Sequence, residues 1–235
     1  MKSPTLEKLL ADRDAKRQFV LVTHLESGRQ TLAYSDRADG EVEIDDTLRA
    51  AVDAAIRDDK SRTVETDAGT VFIQVFNPPL RLLIVGAVHI AQPLARMAAV
   101  GGFDVTVIDP RGSFATDDRF PGVTLVNDWP DEALPPLDVD RRTAVVTLTH
   151  DPKIDDPALA AVLRSDAFYI GSLGGRKTHA GRTERLGEAG FTPAEIGRIH
   201  GPVGLDLGAV SPAEIAVSIL AQITQVLHAK DRIAA

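Results

Sequence analysis

The chain has 235 residues, of which 44% are hydrophobic and 26% charged, and its formal net charge is −8. This acidic balance argues against binding to nucleic acid or to an anionic membrane, and the absence of cysteine excludes disulfides, zinc–thiolate sites and a thiol nucleophile. The N-terminal residues lack the apolar core of a signal peptide and no stretch is long enough to span a membrane, so we expect a cytoplasmic protein.

The first 77 residues show short, alternating helix and strand patterns. We predict helices over residues 6–17 and 45–57, and strands over residues 19–24, 30–34, 63–66 and 70–76. The segment Asn77-Pro78-Pro79 then stiffens the chain, because proline fixes φ and donates no hydrogen bond. The sequence therefore predicts a small α+β domain over residues 1–77 and a second domain over residues 78–235.

The second domain opens with the pattern of a βαβ unit from a nucleotide-binding sheet. We predict a strand over 82–85, a helix over 90–100 and a strand over 105–108. Strand and helix patterns continue to alternate along the chain. We predict strands over 123–126, 143–148 and 167–170. We predict helices over 157–163, from the end of the 171–179 loop to about residue 186, and over 214–227. This alternation predicts an α/β fold, in which a C-terminal Rossmann-like parallel sheet domain follows the smaller N-terminal α+β domain.

The glycine motif after the first strand of this unit is incomplete. The dinucleotide motif has the form G-x-G-x-x-G, and this chain has Gly86, Val88 and Ala91 at the three positions. Alanine is permitted at the last position, but Val88 hinders the close approach of a pyrophosphate to the backbone. Asp109 lies 23 residues after Gly86, about where an acidic residue meets a ribose hydroxyl. An NAD(P) site and a turn that binds no ligand both remain open.

Four loops follow the predicted strands of the second domain, over residues 86–91, 109–121, 149–157 and 171–179. In an open α/β sheet, the carboxyl ends of the strands form the ligand crevice. Polar side chains are concentrated in these loops, and those that we expect to face one pocket are His89, Arg111, His150, Asp151, Arg176, Lys177 and His179.

The 171–179 loop has the features of an anion site. Gly171 and Gly174 open the backbone after a strand, and Arg176 and Lys177 supply charge at the start of the next helix. An arginine can hold an oxyanion in bidentate fashion. The alternative is that the glycines serve chain geometry and the cations serve a solvated helix face.

The loop after residue 148 holds candidate catalytic groups. His150 and Asp151 directly follow a buried strand, and either His150 or His179 is a candidate proton donor. The carboxylates of Asp151, Asp155 and Asp156 suit a hard divalent cation, but they suit helix N-caps as well. We therefore assign no metal ligands and no definite catalytic residue.

Five ordered motifs in the second domain are distinctive: GAVHIAQPLA, VIDPRGSFATDDRFPGV, VVTLTHDPKIDDPAL, YIGSLGGRKTH and RIHGPVGLDLGAVSPAEIAVSILA. Together they resemble the XdhC/CoxI family, the accessory proteins of xanthine dehydrogenase and related molybdenum hydroxylases. The resemblance covers roughly residues 80–227. It is weak in the first domain, which lacks the GSVGGGC-like stretch of longer members.

The resemblance implies a cofactor-binding chaperone rather than a catalyst. Such a protein binds molybdenum cofactor, as molybdopterin or its dinucleotide form, and protects it while a cysteine desulfurase supplies the terminal sulfur ligand. It then helps to insert the cofactor into a molybdenum hydroxylase such as xanthine dehydrogenase. The residues that we expect to bind the cofactor are Gly86, Val88, His89, Asp109, Arg111, Gly171, Gly174, Arg176 and Lys177.

Within this expectation, Asp109 would hold a ribose of the dinucleotide form, and the three cations Arg111, Arg176 and Lys177 would meet phosphate or pterin. We also expect a homodimer, since the apolar closing helix is suited to packing on a second copy.

A second function class stays open, namely an NAD(P)-dependent oxidoreductase that acts on a small polar substrate. In that case Asp109 would favour NAD over NADP by repelling a 2′-phosphate. Val88 argues against this class, and no catalytic acid is defined by the sequence. A nucleotide-sensing or interaction module without turnover is a third alternative.

Overall fold

The structure is a computed structural model that describes residues 3–229. The first two and last six residues, which the predicted domain ranges include, lie outside the described part. The chain divides into two compact units between Pro79 and Leu80. Among the described residues, no helix has both the length and the apolar character needed to cross a membrane.

The first unit is a five-stranded antiparallel sheet with one helix against each face. Its elements are α1 (Ser3–Asp14), β1 (Phe19–His24), β2 (Gln30–Ala33), β3 (Ala38–Gly40), α2 (Asp46–Asp58), β4 (Arg62–Thr66) and β5 (Gly69–Phe76). The strand order is β3-β2-β1-β5-β4. Side chains alternate between faces along β1, so Val20 packs with Val52 of α2, whereas Leu21 packs in the cluster that contains Leu9 of α1.

Two details of this unit differ from the sequence predictions. The helix predicted over 6–17 lies three residues earlier, and Lys16, which follows it, has a left-handed φ of 52°. The edge strand β3 was not predicted, because its three residues are all exposed and show no apolar alternation.

The second unit is a six-stranded parallel sheet with helices on both faces. Its strands are β6 (Arg81–Val85), β7 (Asp104–Ile108), β8 (Thr124–Val126), β9 (Thr143–Thr147), β10 (Tyr169–Ser172) and β11 (Ile199–His200). Its helices are α3 (Ala91–Val100), α4 (Pro130–Ala133), α5 (Pro152–Val162), α6 (Arg176–Glu188), α7 (Pro193–Ile196) and α8 (Pro212–Leu227), with a 3-10 turn at Pro135–Leu137.

The strand order of the parallel sheet is β11-β10-β9-β6-β7-β8. The chain starts in the middle at β6, winds outward to β8, returns to β9 and winds outward again to β11. This is the doubly wound order of a Rossmann fold, and its topological switch point lies between β6 and β9. The predicted fold class, a Rossmann-like parallel sheet after a smaller α+β unit, is therefore confirmed.

Helices on both faces explain why the central strands are apolar throughout. Leu82 and Ile84 of β6 pack in the same cluster as Leu94 of α3 and Ile219 of α8. Leu83 and Val85, on the opposite face, pack in the cluster of Leu159 of α5. A strand that is buried on both faces reads as a continuous apolar run, which is the signal that predicted it.

The prediction that a helix begins at Pro157 is wrong. Helix α5 begins five residues earlier, at Pro152, and Asp151 caps it by accepting a hydrogen bond from the Lys153 amide at 3.0 Å. Pro157 lies inside the helix, and Asp156 forms an ion pair with Arg185 instead of a cap. Either proline suits a first helical turn, and the cap formed by Asp151 favours the earlier start.

Four smaller differences lie near the C-terminal end of the sheet. Strand β10 begins two residues later than the predicted 167–170 strand, and the short strand β11 was not predicted. The four-residue helix α7 was not predicted. Helix α8 begins two residues before the predicted start at 214, because Ser211 and Glu214 form a capping box there.

Candidate functional site

Four loops lie along the carboxyl edge of the parallel sheet. They follow β10, β9, β6 and β7, which are neighbours in that order, so the loops predicted from sequence do leave the same edge. At the switch point, Gly86 adopts a φ of +107°, and a Cβ built on it would lie 2.5 Å from Cγ2 of Thr149. Glycine at this position therefore lets the loop after β6 pass close to the loop after β9.

Asp109, at the end of β7, is fully buried and saturated with hydrogen bonds. Its carboxylate accepts from the Arg111 side chain through Nε at 2.8 Å and Nη2 at 2.7 Å, and from the amides of Ala87 at 2.7 Å and Arg111 at 2.9 Å. Burial alone would raise the pKa of Asp109, but these hydrogen bonds outweigh it and hold the pKa below the ordinary value. A ribose contact, which the sequence suggested, would require the Asp109–Arg111 pair to separate.

The loop after β7 presents a planar cationic surface. The Arg111 guanidinium lies 4.5 Å from the ring centroid of Phe114, and Arg119 lies 5.8 Å from the same centroid. Arg119 Nη1 also donates to the Phe114 carbonyl at 2.5 Å, which fixes the loop. Phe114 remains 40% exposed. Sequence reasoning missed Phe114, although an exposed aromatic residue beside Gly112 and Ser113 in a crevice loop was an available signal.

The loop after β9 is organised around the buried carboxylate of Asp155. It accepts from Oγ1 of Thr149 at 2.7 Å and from the amides of Thr149 and His150 at 3.3 and 3.1 Å. Burial raises the pKa of Asp155. His150 is exposed and has a left-handed φ of 62°, a conformation that costs free energy for a residue with a side chain. Asp155 therefore shapes this loop, and Asp151 caps α5.

The loop after β10 leads into an uncapped helix. Gly175 is the N-cap residue of α6 and offers no side-chain cap, so the amides of the first turn have no partner within the helix. Arg176 and Lys177 are exposed and form no ion pair with any residue that the structure describes. Gly174 has a φ of +138°, and its Cβ would lie 2.9 Å from Cγ2 of Thr178. This helix start combines the dipole, free amides and two free cations, the features that bind an anion.

A buried guanidinium lies beneath this helix start. Arg182 is only 2% exposed, and its Nη2 donates to the Leu173 carbonyl at 2.8 Å and lies 3.9 Å from Asp155 Oδ2. Its Nε and Nη1 have no hydrogen-bond partner among residues 3–229. Its position was not predicted, although His179, Arg182 and Leu186 share one helical face.

His179 is half-buried and lies against Gly201, which directly follows β11 at the same edge of the sheet. Its Nδ1 is buried without a hydrogen-bond partner in the described chain, and a Cβ on Gly201 would collide with that atom. Burial, followed by the charge of Arg182, lowers the pKa of His179. The ring thus packs against the backbone at Gly201, because α6 turns this position inward.

The remaining predicted site residues divide into exposed and packed groups. His89 is exposed, whereas Val88 is half-buried against the core. Gly171 is buried, and its Cβ would lie 2.6 Å from Val203 Cγ2, so glycine is needed there for packing. The loops after β7 and β9 both approach the loop after β6, where the Ala87 amide donates to Asp109 and Gly86 lies against Thr149. Within residues 3–229, no three potential metal ligands converge.

The doubly wound order, the switch-point crevice and the uncapped α6 define a Rossmann-type ligand-binding domain. The chain belongs to the family of the XdhC Rossmann domain, whose family model matches residues 82–223. This match confirms the resemblance inferred from the five motifs.

Two curated relatives illustrate the membership. The chain is 35% identical over 175 residues to a protein of Bacillus subtilis strain 168 named as a probable xanthine dehydrogenase subunit, and the match covers 71% of this chain and 51% of that protein. It is 32% identical over 157 residues to the molybdenum cofactor insertion chaperone PaoD of Escherichia coli K12, and that match covers 66% of this chain and 43% of that protein. The matched part is thus about half the length of these relatives.

A solved structure is similar over nearly the whole chain. The crystal structure of a xanthine dehydrogenase from Bacillus halodurans superposes with a TM-score of 0.75 at 25% identity. The similarity covers 99% of this chain and 69% of that chain, so it includes the antiparallel unit as well as the Rossmann unit.

Proposed function

We propose that this protein is an accessory factor that binds molybdenum cofactor and delivers it to a molybdenum hydroxylase of the xanthine dehydrogenase type. The names of the relatives, one of which is a molybdenum cofactor insertion chaperone, support this role. The observation that carries the proposal is the cluster of positive groups where α6 begins, because the cofactor has a phosphate on a planar pterin.

The α6 start suits a phosphate monoester through three kinds of contact. The free amides of the first turn point toward the anion, and the helix dipole adds to their effect. Arg176 and Lys177 add two unpaired charges at the surface. Arg182 adds a third charge from below, which Asp155 offsets only across 3.9 Å. This cluster favours a doubly charged phosphate over a neutral group.

The later steps of cofactor handling belong to the same proposal. The chain contains no cysteine and cannot carry sulfur as its own persulfide, so the terminal sulfur would come from a separate cysteine desulfurase. The bound cofactor would be protected in the crevice during this step and then inserted into the hydroxylase. We also propose a homodimer through the apolar side of α8, where Val217 is 48% exposed.

Two features support cofactor binding over the alternative of an NAD(P)-dependent oxidoreductase. Asp109 would have to leave Arg111 before it could accept from a ribose hydroxyl. Val88, at the second glycine position, packs against the core and leaves less space for a pyrophosphate than glycine would.

We expect the double substitution Arg176→Ala with Lys177→Ala to weaken molybdenum cofactor binding by about tenfold or more, because two charge-assisted contacts are lost. Affinity would be measured anaerobically by equilibrium dialysis, with the pterin quantified by its fluorescence after oxidation. The matched control is Arg141→Ala, which removes an exposed arginine just before β9, at the opposite edge of the sheet.

Both variants should unfold at the same denaturant concentration as the parent chain, since all three side chains are exposed. Equal affinity of the double variant and the control for the cofactor would show that the start of α6 does not bind its phosphate.

A further inference from the structure

The stack of Arg111 on Phe114 is fixed in place before any ligand binds. Two guanidinium nitrogens of Arg111 are held by the buried Asp109 carboxylate, and Arg119 holds the Phe114 carbonyl. The Arg111 side chain is 36% exposed and Phe114 is 40% exposed. A flat guanidinium on a flat ring that is partly open to solvent is suited to stacking with another planar group.

The loop after β9 brings a carboxylate with a free oxygen to the same crevice. The Asp151 amide donates to Oγ1 of Thr149 at 3.0 Å, and Thr149 lies against Gly86. The next residue, Ala87, donates to Asp109, which holds Arg111. Asp151 Oδ1 accepts from the Lys153 amide, and Oδ2 has no partner among the residues that the structure describes. A carboxylate oxygen accepts hydrogen bonds from N–H donors, such as those on the amino-pyrimidinone edge of a pterin.

The two ends of the carboxyl edge differ in charge. At the α6 end, Arg176 and Lys177 are unpaired within the described chain. At the stack, the buried Asp109 carboxylate neutralises Arg111, and Arg119 adds one positive charge beside Phe114. Positive charge is therefore denser at the α6 end, which favours the anion there and leaves the stack to a planar ring.

The separation of the two ends suits an extended ligand. The loops after β10 and β7 are three strand positions apart, which corresponds to roughly 14 Å across the sheet. The loops after β9 and β6 lie between them.

We infer that the cofactor lies across the carboxyl edge in one direction, with its phosphate at the start of α6 and its pterin ring on the Arg111–Phe114 stack, where Asp151 accepts from the N–H edge of the ring. This inference rests on the proposed function and assigns the two halves of the ligand to different loops. Phe114 and Asp151 are then the residues that recognise the pterin.

The test uses two probes that each represent one half of the ligand. Neopterin is a pterin without phosphate, and its binding is followed by fluorescence; inorganic phosphate is followed by NMR titration. We expect Phe114→Ala and Asp151→Asn each to weaken neopterin binding by about fivefold to tenfold and to leave phosphate binding unchanged. Arg176→Ala with Lys177→Ala should give the converse result.

The two pterin variants are chosen to preserve the fold. Phe114 is half-exposed, and asparagine caps a helix about as well as aspartate does. Ser113→Ala, at an exposed position in the same loop as Phe114, is the control and should bind both probes as the parent does. The inference would be overturned if these variants bound neopterin as well as the parent chain does. It would also be overturned if the parent chain retained the whole cofactor but did not bind neopterin. Failure to bind the cofactor itself would instead count against the proposed function.

Discussion

Replacing Arg111 with alanine is expected to lower the free energy of unfolding by about 2 to 3 kcal/mol near neutral pH. The substitution leaves the carboxylate of Asp109 fully buried, with only the amides of Ala87 and residue 111 as donors. Removing one partner of a buried pair is costly because the other charge stays desolvated. The expected loss is at the lower end for such pairs, since Arg111 is itself 36% exposed.

The dependence of this loss on pH follows from the pKa of Asp109. In the parent chain, the pKa of Asp109 is lower in the folded state than in the unfolded state. The ion pair therefore stabilises the fold fully at pH values above the pKa of the unfolded chain. This stabilisation is lost as the pH falls through the lower pKa of the folded chain. Without the Arg111 side chain, two of the contacts that lower the folded pKa of Asp109 are gone, so the variant keeps less of this pH-dependent stabilisation. The difference between the two proteins should therefore widen from acidic to neutral pH.

Urea unfolding at a series of pH values measures this difference. The double variant Arg111→Ala with Asp109→Asn is the control, because a neutral amide in place of the carboxylate should recover part of the loss. A loss that is equal at every pH, or a double variant no more stable than the single one, would show that the ion pair is not the cause.

The second large effect is expected for Gly86→Ala, which should destabilise the fold by about 3 kcal/mol. A Cβ at this position would lie 2.5 Å from Thr149 Cγ2 and 3.3 Å from the Thr149 amide nitrogen, and the φ of +107° is strained for any residue with a side chain. Relief of the contact must displace Thr149, whose hydroxyl donates to the buried Asp155 at 2.7 Å and orders the loop after β9. We therefore expect weaker cofactor binding as well as lower stability.

Gly112→Ala is the matched control for this substitution. Gly112 lies in a neighbouring crevice loop, its Cβ would meet nothing within 4 Å, and its φ is not in the left-handed region. The control should change the free energy of unfolding by less than about 0.5 kcal/mol. Equal denaturation midpoints for the two alanine variants would contradict the close approach of the loops after β6 and β9.

The fold could be predicted from sequence because its signals are local. The apolar strands β6 and β9 are buried on both faces and read as continuous apolar runs. The alternation of such runs with helical patterns is enough to predict a parallel sheet, and therefore that the loops after the strands share one edge. The short elements β3 and β11 were missed because three exposed residues and two residues carry no periodicity.

The contacts within the site could not be predicted, because each depends on a partner that sequence spacing does not identify. An aspartate at the end of the second Rossmann strand has the same spacing whether it meets a ribose or, as here, is held by Arg111. The burial of the His179 Nδ1 atom depends on its contact with Gly201, which lies 22 residues later in the chain. Arg182 is buried, but it lies in a polar helix, and the sequence of such a helix predicts that its arginines are exposed at the surface.

The central claim, that this chain binds molybdenum cofactor in its Rossmann crevice, is tested most directly by anaerobic binding of the cofactor to the purified protein, with NADH and NADPH titrated in parallel. We expect the chain to retain the pterin and neither nicotinamide to displace it. Tight nicotinamide binding without pterin retention would contradict the claim, and it would assign the crevice to an oxidoreductase.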